Sequence, residues 1–153
     1  LHHFLGDAPA DRVLEVIYLI KSGVKNEETL IKRGLRNSIA VLYSLDAITK
    51  TQGDLELNVP NEEINKWLVN SVSNTDTMKY AKKLLDERPR INAKEMGREI
   101  AKYLQKNWSD ASCLRYGGSL IRWIKWINEQ KQFEELNLFN ILRKEDSIDS
   151  RAN

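Results

Sequence analysis

Arginine and asparagine are the side chains best suited to reading base edges, and this sequence sets them among short polar residues at helical spacing. Ser112, Arg115, Ser119 and Arg122 follow one another three or four apart. Arg36 and Asn37 open a second run that continues through Ala40, Val41 and Ser44, with Tyr43 beside it. Arg forks to guanine and Asn to adenine, while small neighbours let a helix enter the major groove. For both runs the alternative is a solvated helix face. The first unit is acidic overall, which equally suits a protein-contact surface.

The charge that would hold a phosphate backbone is concentrated in the second half. Between Lys79 and Lys131 stand 13 basic and 6 acidic residues, a local net charge of +7 that leaves −5 for the remainder. Lys94, Arg98, Lys102 and Lys106 recur every four residues. That spacing is suited to docking phosphates or, alternatively, to ordinary ion pairs on a wet surface. Lys50, near the tip of an expected hairpin, is a further phosphate candidate.

Other chemistries lack material. One cysteine, Cys113, excludes an internal disulfide and fits an inert core position. The only histidines, His2 and His3, adjoin at the start and read as a linker or tag remnant. Glu129-Gln130-Lys131 has the spacing of a restriction-nuclease carboxylate-lysine motif, but it follows a helix rather than ending a strand. There is no glycine-rich phosphate loop. We therefore expect no catalytic residue, metal or cofactor here, with Mg²⁺ entering only if a nuclease domain is attached. The longest apolar run, Val16–Ile20, is too short to span a bilayer. A cytoplasmic setting is the expectation. A start at Leu1 rather than Met suggests a piece of something larger.

The elements that must position these residues are mostly helices. Asp7 reads as a cap for a helix with Pro9 in its first turn and Val13, Val16, Ile17 and Ile20 inside. Asn26 caps a short second helix ending near Gly34, and a third helix begins around Asn37 with Ile39, Leu42 and Leu45 inward. Residues 48–58 read as a hairpin around Gln52-Gly53-Asp54. This is the order of a winged helix-turn-helix.

After Val59-Pro60, Asn61 caps a helix, Ser71–Thr77 forms a polar connector, and another helix runs up to Pro89. Asn92 with Glu95 starts the next, and Ser109 caps a long helix to about Ile127. Its expected apolar stripe is Cys113, Leu114, Leu120, Ile121, Ile124 and Ile127, and Gly117-Gly118 permits a close helix approach. Trp67 and Trp108 read as packing at helix junctions, and Trp126 as the exposed tryptophan. The expected fold is mostly α, with tandem winged-helix-like units and one small β-hairpin. The units span 1–60 and 61–132, followed by a C-terminal helix and frayed tail over 133–153.

The string Lys106-Asn107-Trp108-Ser109-Asp110-Ala111-Ser112, with Arg115-Tyr116, Gly117-Gly118 and Ile121-Arg122-Trp123-Ile124, resembles the winged-helix subdomains in the recognition halves of type IIS restriction endonucleases and related nickases. The resemblance implies sequence-specific binding of double-stranded DNA. It places Ser109, Ser112, Arg115, Tyr116 and Ser119 near the bases and leaves cleavage to a fused or associated nuclease domain. The second unit departs from that pattern by lacking a wing. A winged-helix protein-interaction adaptor and a transcription or replication regulator are the competing expectations.

Overall fold

A computed structural model describes the backbone of residues 3–152 and the side chains of residues 3–145. His2 and the side chains of the last eight residues lie outside this. Seven helices and one two-stranded antiparallel hairpin make up the described chain. None of the helices is long and apolar enough to cross a membrane.

The first unit has the expected order. α1 (Ala10–Lys21) buries Val13, Val16, Ile17 and Ile20. α2 (Glu27–Lys32) is capped by Asn26, whose Oδ1 accepts the Thr29 N–H at 3.0 Å. Gly34, at φ +83°, makes the turn into α3 (Arg36–Ser44) without a Cβ penalty. β1 (Ile48–Thr51) and β2 (Asp54–Leu57) pair in register Ile48 to Leu57. Gln52 and Gly53, both at positive φ, form the two-residue turn, as a tight hairpin requires. The segment before α2 joins the hairpin as well, because Leu55 donates to the Lys25 carbonyl at 2.7 Å and Glu27 to that of Gly53 at 3.0 Å. The wing is thereby tied to the helices.

The second unit contains α4 (Ile64–Ser73), α5 (Asp76–Glu87), α6 (Ala93–Leu104) and α7 (Asp110–Ala152). α6 and the start of α7 lie antiparallel at very close range. A Cβ added to Gly97 would stand 1.8 Å from the Cys113 carbonyl oxygen, and one on Gly117 1.8 Å from that of Ala93. Ala93, Gly97 and Ala101, four apart on α6, supply a flat strip against which α7 presses. The expected close approach falls on Gly117, whereas a Cβ on Gly118 would meet the end of the Arg122 side chain at 3.3 Å and the Ala93 Cβ at an ordinary 3.6 Å.

One core runs through both units, from Phe4 to Ile127. The N-terminal segment stitches them together. The Trp123 indole N–H donates to the carbonyls of Gly6 and Ala8 at 3.0 and 2.9 Å, and Phe4 packs edge-on against the same ring at 5.4 Å. The Thr77 hydroxyl donates to the Phe4 carbonyl at 2.6 Å.

Several sequence expectations are corrected here. Asp7 caps nothing: α1 starts after Pro9 with no side-chain cap. α4 begins at Ile64 rather than after Asn61, and only Asn74 and Thr75 separate it from α5. Leu114, expected in the buried stripe, is 56% exposed, because the tight α6 contact rotates Cys113 and Gly117 inward instead. Val41, expected outward, is buried. The expected break after Ile127 is absent, since α7 runs from Asp110 through Ala152. The polar residues Asn128–Gln132 are good enough helix formers to carry it on.

Candidate nucleic-acid interface

The two helices expected to read bases independently meet across one groove. Asn37, Ala40 and Ser44 of α3 form one wall, and Lys106, Arg115 and Tyr116 much of the other, enclosing ≈ 430 Å³. Local structure fixes each side. Leu35, Ile39 and Leu42 lock α3 into the core, which turns Arg36, Asn37 and Ala40 outward. Gln105, in the left-handed region at φ 56°, closes α6, and the Lys106 N–H turns back to the Ala101 carbonyl at 2.8 Å. That closure brings Lys106 to the groove. Tyr116 is half-buried against Trp108, ring centroids 4.8 Å apart.

Arg115 does not have the free fork expected of it. Its Nε donates to Asp7 Oδ1 at 3.0 Å and its Nη2 to Oδ2 at 2.5 Å. The Asp7 carboxylate holds the guanidinium pKa above its ordinary value. Arg115 is nonetheless substantially exposed, and Nη1 makes no hydrogen bond among the described residues. The carboxylate thus fixes the side-chain plane and leaves one edge of the guanidinium toward solvent. Asp7 lies 108 residues away, and its sequence context points only to a helix cap.

Other expected contacts lie elsewhere. Ser109 performs its capping role by accepting the Ser112 N–H at 3.2 Å, and the two hydroxyls share a bond of 3.2 Å. Ser119 is buried, with its hydroxyl on the Arg115 carbonyl at 2.9 Å, so it is removed from the base-reading set. Arg122 lies on a different groove beside Trp126 and donates to Ser119 Oγ at 3.3 Å. Trp126 itself is half-buried, edge-on to Trp123, rather than exposed.

The lysines and arginines of α6 are engaged by carboxylates. Lys94 and Arg98 flank Asp110 at 3.3 and 3.5 Å and lower its pKa, Lys94 more strongly. Lys102 pairs with Glu99 at 3.6 Å, while Arg88 takes Glu95 at 2.8 Å. Lys50 points back to Glu27 at 3.3 Å instead of standing free at the wing tip. Only Lys106 of the five has no ion pair among the described residues. Arg36 remains exposed at the start of α3. No family model matches the chain, and no curated protein or solved structure matches it.

Proposed function

We propose that this chain is a double-stranded DNA-binding module that reads sequence from the exposed N-terminal half of α3. The observation that carries this reading is the groove: Asn37 and Ala40 of a helix-turn-helix stand opposite Lys106 and a carboxylate-oriented Arg115. Asn37 and Arg36 supply donors for base edges, and Lys106 supplies charge for phosphate. Arg115, held by Asp7, offers the free edge of its guanidinium at the border of the same surface. Within this reading the chain is the recognition part of a restriction-type endonuclease, in line with the resemblance around Lys106–Ile124. Cleavage and Mg²⁺ then belong to a fused or associated domain.

The test is anisotropy with a pool of labelled random duplexes, followed by sequencing of the retained DNA. Enrichment of one short motif is expected. Asn37→Ala should relax preference at one position, a loss of about 1–3 kcal/mol of discrimination. Lys106→Ala should weaken all duplexes alike and lower the salt slope by about one. Equal losses on every sequence for both variants would remove the base-reading role of α3. A second reading, the protein-interaction adaptor, is favoured by the exposed apolar residues of α7.

A further inference from the structure

The distal part of α7 is a helix without a covering. Phe133, Leu136, Leu138, Phe139, Ile141 and Leu142 are each between 50% and 62% exposed, and they surround the helix rather than forming one stripe. A helix that is apolar on all sides is one that packs between neighbours. One line of residues continues the face by which α7 joins the body. Leu120, Ile124, Ile127, Lys131, Glu134, Leu138 and Ile141 alternate spacings of four and three, the repeat of a helix-pairing seam. Its first three members are buried in the body, and its last two stand in solvent.

Beside that seam lies a groove of ≈ 460 Å³ between α5 and α7, with Met78, Ile124 and Ile127 among its lining. Its rim carries Lys79, Lys82, Lys83 and Lys131 against Asp86 and Glu87, a net charge of +2. The segment Phe133–Leu142 carries Glu134 and Glu135 and no cation, a net charge of −2. The groove is therefore complementary in charge to the distal segment of this same chain, with Met78, Ile124 and Ile127 as its apolar floor.

We infer that two copies of the chain exchange the distal parts of α7, each laid antiparallel into the α5–α7 groove of the other. The twofold axis passes between Gln132 and Phe133. In that register Ile127 meets Leu138 of the second copy, Ile124 meets Ile141, and Lys131 meets Glu134, each contact occurring twice as an isologous pair demands. A parallel pairing would set Lys131 against Lys131 and Glu134 against Glu134, and would leave both grooves empty. The antiparallel exchange converts the same residues into two opposite-charge pairs.

Sedimentation equilibrium on the full chain tests this. The wild type should be a dimer at micromolar concentration. Leu138→Asp should weaken the dimer roughly tenfold or more. Because Leu138 is solvent-exposed in the single chain, its helix content and thermal midpoint as a monomer should be retained. Lys131→Glu and Glu134→Lys should each dissociate, since each places like charges in both contacts. Mixing those two variants should restore a dimer containing one of each, because both contacts then join opposite charges. A wild type that stays monomeric overturns the proposal and assigns the distal helix to a different partner. Dimers that persist in both single variants, or a mixture that stays monomeric, overturn the antiparallel register.

Discussion

Glu27 receives two donors from different elements: the Tyr43 hydroxyl at 2.7 Å from α3 and the Lys50 ammonium at 3.3 Å from β1. The Tyr43 hydrogen bond is the main reason the Glu27 pKa falls below its ordinary value, with Lys50 and Arg36 adding to it. Burial, and then the carboxylate itself, push Tyr43 from its ordinary 10.0 up to about 12. The signs define a window. Glu27 stabilises the fold above the ordinary carboxylate range, and that contribution is lost as pH falls through its lowered pKa. Tyr43 contributes fully below its ordinary pKa and loses its contribution as pH rises to about 12. Tyr43→Phe should cost about 1 kcal/mol near neutrality. The cost should shrink in acid, once Glu27 has lost its charge, as read from urea midpoints at the two pH values. An equal cost at both would rule out the charged acceptor. Legibility at this scale was uneven. The caps at Asn26, Asn92 and Ser109 depend on residues three apart and could be read from the sequence. The Asp7–Arg115 and Lys50–Glu27 pairs depend on folding and carry no local signature.

Adjacent glycines on α7 separate two roles that look identical in sequence. A Cβ at residue 117 meets backbone, which cannot move aside, and one at residue 118 meets the flexible end of Arg122. Gly117→Ala should therefore cost about 3 kcal/mol of overpacking, well above the helix-propensity gain of up to about 1 kcal/mol. Gly118→Ala keeps the propensity gain and should be neutral or stabilising. Denaturant midpoints of the two variants decide this, and a Gly117→Ala protein as stable as wild type would mean that α6 and α7 stand farther apart. Helix existence and the hairpin were legible because apolar spacing and the Gln52-Gly53 turn are local signals. The length of α7 was not. Residues 128–132 are polar and read as a break, yet polarity alone does not end a helix, and this stretch contains no Gly or Pro.

At the scale of the whole molecule, the N-terminal segment joins the two halves of the chain. Phe4, Gly6 and Ala8 belong to the chain ahead of the first helix, but their partners Thr77 and Trp123 belong to the second unit. Calorimetry should accordingly show one transition, with the calorimetric and van't Hoff enthalpies equal. Two resolved transitions would mean that the units fold separately. The order of helices and hairpin was legible, but the shared core was not, because nothing about Phe4 or Trp123 in the sequence says that they touch. The uninterrupted course of α7 also makes it a ruler. Arg115 lies about 26 Å along the helix from the point between Gln132 and Phe133, at 1.5 Å per residue. In the proposed exchanged pair the two α3–α7 grooves are set about 52 Å apart along the helix direction, which on the proposed DNA-binding reading is close to the length of 15 base pairs of duplex. Each residue inserted between them on α7 would lengthen that separation by about 3 Å and turn each groove by about 100° about the helix axis.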